Sequence, residues 1–350
     1  MGTVKTILVT RLSAMGDVAM TIPVMKQVLE DNPDTEIVFV TNRNWGALCA
    51  NIPRLTFFPA DVKGTHKGIK GLYRLFREVK KAHRIHAVAD LHNVLRSKII
   101  RTFFRLTGTP VATIDKGRAE KKALTRKENK VLQPLTSTIE RYAVVFRQLG
   151  LRCEMGHKPV FPPRALTESI TAVTGTKGAE KWIGVAPFAT YREKMYPLEK
   201  MAEVLELLLQ EPHHRVLLMG GGKQEVALLT ELQAKYPQTI LIAGRFALAE
   251  EMAIISQLDV MISMDSANMH LASLFGVPVV SVWGATHPFA GFMGYAQSAD
   301  NAVQMNDLNC RPCSVFGNKP CFRGDHACME WIKPEQISEK ANKLTGAVKE

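Results

Sequence analysis

The stretch LSAMGDVAM, close to the N-terminus, combines turn-forming residues with one acidic side chain. It follows the apolar run ILVT and brings Ser13, Gly16 and Asp17 to the start of a predicted helix. Asp is a preferred N-cap residue, worth about 1 kcal/mol, so helix capping accounts for Asp17 without any chemistry. A carboxylate directly after a strand also suits a general base. The residues alone leave both interpretations open.

Two segments in the second half combine similar residue types. In ATYREKMYP, Thr190, Arg192 and Lys194 precede a helix start. Hydroxyl and cationic side chains there suit a diphosphate, although a solvated surface turn has the same composition. In MGGGKQE, Gly221 lies among three glycines and Glu225 follows them. Such a turn permits close approach of a ligand or of a neighbouring element.

The most specific segment is DSANMHLASLFGVPVVSVWG. Asp265 ends an apolar strand, Ser266 and Ala267 open a helix, and His270 lies in its first turns. A second apolar strand follows at once and ends near Trp283. Ligands of parallel sheets bind beyond the carboxyl ends of the strands, so this pattern predicts a binding site.

The elements that position these residues alternate between short apolar strands and helices along the whole chain. This order is typical of parallel sheets covered by helices on both faces. A chain of 350 residues exceeds the length of one ordinary domain. We therefore predict an α/β fold with two Rossmann-like doubly wound domains, 1–165 and 166–350, facing a central cleft. The prediction leaves open whether the last helix packs back on the first domain.

Charge is unevenly distributed. The net charge is +12, and residues 1–165 hold 29 Lys and Arg against 13 Asp and Glu. Within them, residues 63–130 hold 19 basic and five acidic side chains. Such a surface attracts nucleic acid, an anionic membrane or a phosphorylated substrate, unless it is only a solvated face.

The N-terminal sequence and the cysteines bear on location and metal binding. The sequence has no run of eighteen apolar residues and no signal-peptide pattern, which predicts a cytoplasmic protein. Four cysteines fall within nineteen residues, at Cys310, Cys313, Cys321 and Cys328. In a cytoplasmic protein this cluster suggests structural zinc more readily than disulfides, although its spacing is shorter than that of a zinc ribbon.

Taken together and in order, the motifs resemble glycosyltransferase family 9, the heptosyltransferases of the lipopolysaccharide inner core. They are RLSAMGDVAMTIPV, VADLHNVLRSKII, ERYAVVFRQLG, ATYREKMYP, GGGKQE, DSANMHLASLFGVPVVSVWGATHP and the terminal Cys-containing block. The resemblance implies a GT-B architecture, with the acceptor bound mainly by the first domain and the nucleotide sugar by the second. It also implies inverting, metal-independent transfer from ADP-heptose to a Kdo-lipid A type acceptor, with no catalytic cofactor.

The resemblance also assigns roles to residues. Asp17 would be the general base, and Lys194 would neutralise the departing diphosphate. Glu225 would orient Lys194 or nucleotide hydroxyls, and Asp265 would hold sugar hydroxyls. The remaining donor-side residues would be Thr190, Arg192, Gly221, Ser266, Ala267 and His270. The acceptor-side residues would be Ser13, Arg96, Lys98 and Arg101.

One departure from the family pattern affects the donor. Many members have a Gly-Pro pair where this chain has Ala267 and Asn268, which puts the sugar in more doubt than the reaction. The basic region fits an anionic glycolipid at the inner face of the inner membrane, with the protein bound peripherally. Transfer from another nucleotide sugar, a sugar-nucleotide epimerase and a non-catalytic nucleic-acid binder are the alternatives.

Overall fold

A computed structural model describes residues 5–346 and divides the chain into two compact units. The first unit runs to Lys116 and resumes over Thr136–His157; the second comprises Gly117–Leu135 and the chain from Lys158 onward. Residues 1–4 and 347–350 lie outside the described residues, so part of the N-terminus considered for a signal peptide is not covered. No helix within 5–346 combines the length and apolarity needed to cross a membrane.

The division into units differs from the predicted boundary at residue 165. The segment Gly117–Leu135 lies in the first half of the sequence but belongs to the second unit. The backbone N–H of Leu135 donates to the carbonyl of Phe289 over 2.9 Å, and Lys130 Nζ donates to the carbonyl of Asn309 over 3.0 Å. These bonds join residues more than 150 positions apart, which sequence order alone does not indicate.

The elements of the first half begin with a strand and alternate as predicted. They are β1 (Lys5–Thr10), α1 (Met15–Asp31), β2 (Thr35–Asn42), β3 (Leu55–Ala60), α2 (Gly68–Ala82), β4 (Ala87–Asp90), α3 (Leu95–Leu106), β5 (Val111–Thr113), α4 (Arg118–Leu124) and α5 (Thr138–Gln148). Strands β1–β5 form one parallel sheet in the order β3-β2-β1-β4-β5. Residues Arg43–Cys49, between β2 and β3, form a 3₁₀ helix.

The second half repeats the alternation. Its elements are α6 (Glu168–Thr174), β6 (Lys181–Ala186), α7 (Leu198–Leu209), β7 (His214–Leu218), α8 (Lys223–Lys235), β8 (Ile240–Leu241), α9 (Leu248–Ile255), β9 (Val260–Met264), α10 (Ala267–Leu274), β10 (Val279–Trp283), β11 (Ala302–Gln304), α11 (Ala327–Glu330) and α12 (Pro334–Thr345). Strands β6–β11 form a parallel sheet in the order β11-β10-β9-β6-β7-β8. The last helix, α12, packs on α7 and β9 of its own unit.

Burial explains why the strands read as continuous apolar runs. In the first sheet, Leu8 and Val88 pack under α2 and α3 together with Leu72, Phe76 and Phe104. In the second sheet every residue of β9 and β10 is buried. Sheets covered on both faces lose the alternation of polar and apolar residues that a half-exposed strand shows.

Strand order fixes where ligands can bind. In the first sheet β1 is flanked by β2 and β4, and in the second β6 is flanked by β7 and β9. In each sheet the chain first adds strands on one side of the central strand and then crosses over to add the rest on the other side. The crossovers make β1/β4 and β6/β9 the switch points of the two sheets. Ligands of open α/β sheets bind at such points, beyond the carboxyl ends of the strands.

A buried carboxylate organises the switch point of the first sheet. Asp90 ends β4 and is fully buried. It accepts hydrogen bonds from the backbone N–H groups of His92 (2.9 Å) and Asn93 (2.8 Å) and from the Ser97 hydroxyl (3.1 Å). Arg101 adds an ion pair at 2.8 Å. This carboxylate therefore fixes both the turn after β4 and the first turns of α3.

We predict that Asp90→Ala lowers the free energy of unfolding by about 3 kcal/mol, because it leaves Arg101 and two buried N–H groups without their acceptor. Urea denaturation of the full chain measures the loss. Asp34→Ala removes an exposed carboxylate of the same unit and should change stability by less than about 0.5 kcal/mol. Equal stability of the two variants would contradict this role of Asp90.

Candidate functional site

Asp17 lies inside α1 rather than at its N-cap. The helix begins at Met15 with Ala14 at the N-cap, which puts Asp17 at the third helical position. Its carboxylate accepts a hydrogen bond from the Ala14 N–H at 3.3 Å and forms an ion pair with Arg11 at 2.5 Å. The Asp17 side chain is 28% exposed, whereas that of Arg11 is 9% exposed. The carboxylate is thus held from the protein side and open to solvent.

Arg11 is the residue that sequence analysis missed beside Asp17. It follows β1, donates to the Leu91 carbonyl at 2.9 Å and lies 5.9 Å from the centre of the Tyr142 ring. A buried guanidinium with a second anchor keeps its partner carboxylate in one place. The only sequence signal was its position, directly after the first strand.

His92 completes the turn after β4. Its Nδ1 accepts a hydrogen bond from the Leu12 N–H at 3.3 Å, and its Nε2 lies 3.4 Å from the Ser13 hydroxyl. Burial, followed by the positive charge of Arg11, lowers the pKa of His92 to about 3. The imidazole is therefore neutral at physiological pH, and its Nε2–H points at the exposed Ser13.

The predicted acceptor-side cations divide into two kinds. Arg101 is engaged with buried Asp90 and also donates to the Thr113 hydroxyl at 2.9 Å, so it supports the fold and is not free to bind a ligand. Arg96 and Lys98 lie on the exposed side of the first turns of α3. Sequence spacing could not separate the three, because the difference depends on which side of the helix meets Asp90.

The second sheet brings Lys194 and Asp265 together at its switch point. Lys194 ends the 3₁₀ turn Arg192–Lys194 after β6, and Asp265 follows β9. Lys194 Nζ lies 3.0 Å from Asp265 Oδ2, with side chains only 14% and 8% exposed. Both charges are shielded from water, so each depends on the other to compensate for lost hydration.

Packing confines the Lys194 side chain. A Cβ atom on Gly317 would come within 2.4 Å of Lys194 Cγ, so the backbone there passes directly against the lysine stem. Gly317 has φ +74°, a conformation that other residues adopt at a cost. The Glu193 carbonyl also accepts from the Ala285 N–H at 3.1 Å. The cationic group is therefore held by the chain that follows β10.

Glu225 has a different partner from the predicted one. Its carboxylate accepts from the Gly221 N–H at 2.8 Å and so closes the glycine turn before α8. The carboxylate that pairs with Lys194 is that of Asp265. Of the two roles expected for Glu225, orienting Lys194 is corrected by these contacts, and binding nucleotide hydroxyls stays a prediction. Gly221 is exposed, with open space around it.

The other donor-side residues lie close in sequence to Lys194 or to Asp265. Thr190 and Arg192 are exposed in the loop after β6. Ser266 is the N-cap residue of α10, although its hydroxyl bonds Ser263 at 3.1 Å and makes no capping bond. Ala267 begins the helix, and His270 is buried in its first turns. The start of α10 thus adjoins Asp265, as the sequence predicted.

Arg311 ties the segment after β11 to the end of β10. It is buried and donates to the carbonyls of Trp283 (3.0 Å), Gly284 (2.6 Å) and Thr286 (3.0 Å). Burial lowers its pKa to about 10, which leaves it cationic at neutral pH. The sequence signal for this arginine is its position between Cys310 and Cys313, two of the four clustered cysteines.

The four clustered cysteines line one small cavity of ≈ 20 Å³, and all are free thiols. Burial, with a smaller effect from the neighbouring thiols, raises the pKa of Cys328 to about 11. A four-sulfur donor set suits zinc. However, no group of three or more His, Cys, Asp or Glu residues between positions 5 and 346 has an arrangement that could hold a metal ion. Zinc stays a prediction.

Comparison with protein families gives one match that covers most of the chain. The model described as "Glycosyltransferase family 9 (heptosyltransferase)" matches residues 72–320. Among curated relatives, the lipopolysaccharide core heptosyltransferase OpsX of Haemophilus influenzae is 23% identical over 88% of this chain and 86% of its own length. Lipopolysaccharide heptosyltransferase 1 of Campylobacter coli is 27% identical over 97% of this chain and 99% of its own.

Solved structures agree on the fold. The glycosyl transferase family 9 protein of Veillonella parvula has a TM-score of 0.76 and 20% identity, covering 99% of both chains. The ADP-heptose lipopolysaccharide heptosyltransferase II of E. coli has a TM-score of 0.68 and 18% identity, covering 98% of this chain and 99% of its own. The predicted GT-B class, with two parallel α/β sheets, is confirmed. With the family model spanning residues 72–320, the chain belongs to glycosyltransferase family 9, the heptosyltransferase family.

Proposed function

We propose that this enzyme transfers a heptose from ADP-heptose to the inner core of lipopolysaccharide, on a Kdo-lipid A type acceptor, with inversion and without a catalytic metal. The two curated relatives are lipopolysaccharide heptosyltransferases, and the similar E. coli protein is an ADP-heptose lipopolysaccharide heptosyltransferase, which supports this donor and this acceptor. The observation that carries the proposal is Asp17, a partly exposed carboxylate held by Arg11 at the end of the first strand.

Asp17 would act as the general base. It would take the proton of an acceptor hydroxyl as that oxygen attacks the anomeric carbon from the face opposite the leaving group. Arg11 and the Ala14 N–H hold the carboxylate, so it needs little reorganisation to accept a proton. Ser13, with the neutral His92 behind it, offers a hydroxyl beside the base for orienting the acceptor.

The second unit would stabilise the leaving ADP. Bond cleavage places negative charge on the diphosphate, and Lys194 is a fixed, largely buried cation held by Asp265. The N-terminus of α10 begins two residues after Asp265 and adds unpaired N–H groups. Preorganised cations and dipoles of this kind stabilise developing charge without a metal ion. Thr190 and Arg192 lie in the same loop as Lys194 and would bind the phosphates.

The remaining residues would select the two substrates. Gly221, with open space around it, allows the nucleotide close to the backbone, and Glu225 holds that turn. Arg96 and Lys98 would contact the phosphates of an anionic glycolipid. Because that acceptor lies in a bilayer, the protein would work as a peripheral membrane enzyme at the inner face of the inner membrane.

The first experiment is a thermal-shift series with ADP, UDP, GDP and CMP on the full chain. We expect ADP at a concentration of about one hundred times its Kd to stabilise the protein by about 2.7 kcal/mol and the other nucleotides to stabilise it less. A preference for UDP or GDP would keep a glycosyltransferase and reject the ADP-sugar donor. ADP-heptose turnover without an acceptor would favour an epimerase instead.

We predict that Asp17→Asn lowers the rate of transfer at least about a hundredfold, because the amide keeps the size of the carboxylate and cannot accept the proton. Stabilisation by ADP should remain, since Asp17 is assigned to the acceptor. Transfer is measured as ADP release with ADP-heptose and a Kdo-lipid A acceptor. Asp34→Asn, an exposed carboxylate of the same unit, is the matched control. An active Asp17→Asn enzyme would leave helix-capping as the role of Asp17.

Zinc at the cysteine cluster is a separate, structural proposal. We predict about one equivalent of zinc per purified chain, bound after the four deprotonated thiols that line the cavity close around the ion, because in the described structure they are not yet arranged as a ligand set. Elemental analysis for zinc and iron measures it. Cys310→Ala/Cys313→Ala should remove the metal, and Cys49→Ala/Cys153→Ala, which changes the two isolated cysteines, should retain it. A folded chain without metal would reject the site.

A further inference from the structure

Helices α2 and α3 form a two-helix layer on one face of the first sheet. The two helices meet in an aromatic cluster, with ring centres 5.3 Å apart for Tyr73 and Phe103 and 4.9 Å apart for Phe76 and Phe104. Because both helices follow strands of a parallel sheet, both run from its carboxyl edge back to its amino edge. Their outer sides therefore make one continuous surface, here called the α2–α3 face.

The α2–α3 face is strongly cationic. Residues 67–106 contain eleven Lys and Arg but only two acidic residues, Glu78 and Asp90. Glu78 is hydrogen-bonded to His66 at 3.0 Å, and Asp90 is buried with Arg101. Asp90 is therefore absent from the outer surface, where the 44% exposed Glu78 is one negative charge against many positive ones. The exposed cations of α2 are Lys70, Arg74, Arg77, Lys80 and Lys81.

Both helices also expose large apolar side chains. Ile69 is 67% exposed, Leu95 73% and Leu106 78%, and Tyr73 is 46% exposed. Other apolar residues of these two helices are buried against the sheet, so the helices do not need these four exposed side chains for packing. A helix surface with both basic and exposed apolar residues is typical of proteins that bind the bilayer interface.

A pocket borders the α2–α3 face at its amino-edge end. It has a volume of ≈ 430 Å³ and lies between the last residues of α2 and α3. Its lining includes Lys80, Lys81 and Arg84, with Thr107 and Thr109 opposite. Cationic groups and hydroxyls in a concave site are the donors that a phosphate group requires.

We propose that the α2–α3 face docks on an anionic phospholipid bilayer, with the apolar side chains inserted at the interface and a lipid headgroup phosphate in the pocket. Phospholipid fits better than nucleic acid, because three of the four exposed apolar residues are aliphatic and cannot stack on bases. The inference rests on the proposed function in one respect: docking would bring the enzyme to a lipid-linked acceptor.

The test measures sedimentation of the full chain with vesicles of phosphatidylethanolamine and phosphatidylglycerol, compared with phosphatidylcholine alone. Lys70→Glu/Arg74→Glu/Arg77→Glu should weaken binding to the anionic vesicles at least about tenfold. Lys235→Glu/Lys333→Glu/Lys343→Glu makes the same change of net charge at exposed positions of the second unit and should bind within about twofold of the parent. Equal losses in the two variants would overturn the proposal.

A second variant tests insertion. Ile69→Ser/Leu95→Ser keeps every charge and should remove the binding that survives high salt, because only buried apolar area resists screening. Unchanged binding at high salt would overturn insertion, and tighter binding of single-stranded RNA than of anionic vesicles would overturn the lipid partner. Thermal unfolding and stabilisation by ADP verify that each variant is folded.

Transfer assays separate this inference from the proposed function. With a water-soluble, deacylated acceptor the charge-reversed variant of α2 should match the parent enzyme, and with acceptor in anionic vesicles it should be slower. Equal rates on both acceptors would overturn docking. Absence of transfer by the parent enzyme would instead reject the proposed function, while the vesicle sedimentation would still decide the docking surface.

Discussion

A buried carboxylate requires a positive partner, and this constraint shapes the carboxyl edges of both sheets. Asp90 pairs with Arg101, Asp265 with Lys194, and the less buried Asp17 with Arg11. Breaking such a pair leaves one charge unsolvated, which costs about 3–5 kcal/mol where both partners are buried. The turns after β1, β4, β6 and β9 are therefore held by charge pairing in addition to apolar packing. Two of the three pairs include a residue proposed to take part in the transfer reaction.

The three pairs differ in how much of each remains accessible, and that difference separates support from chemistry. Asp90 is fully buried and accepts several other hydrogen bonds, so it serves the fold. Asp17 keeps 28% of its side chain exposed, and Lys194 keeps 14%. A group that must exchange a proton or meet a phosphate needs such an opening. The backbone at Gly317 then limits how far the Lys194 side chain can move.

The basic surplus of the first 165 residues has more than one use. Arg11 and Arg101 turn inward and neutralise carboxylates, whereas the lysines and arginines of α2 stay outside. The basic segment Gly117–Leu135 belongs to the second unit altogether, where Lys121 lies 4.2 Å from the centre of the Phe292 ring. A count of charges along the sequence therefore overstates the charge of any one surface.

The alternating parallel-sheet fold and the strand ends that carry polar residues can be predicted from the order of residues along the chain. Both follow from local patterns, since apolar runs of five or six residues and the glycine, serine and aspartate turns after them read directly from neighbouring letters. The roles of Glu225 and Arg101, the presence of Arg11 beside Asp17, and the move of Gly117–Leu135 to the second unit came only from the tertiary structure. Each depends on which side chains meet, often across long stretches of chain, and spacing along a sequence holds no information about such distances.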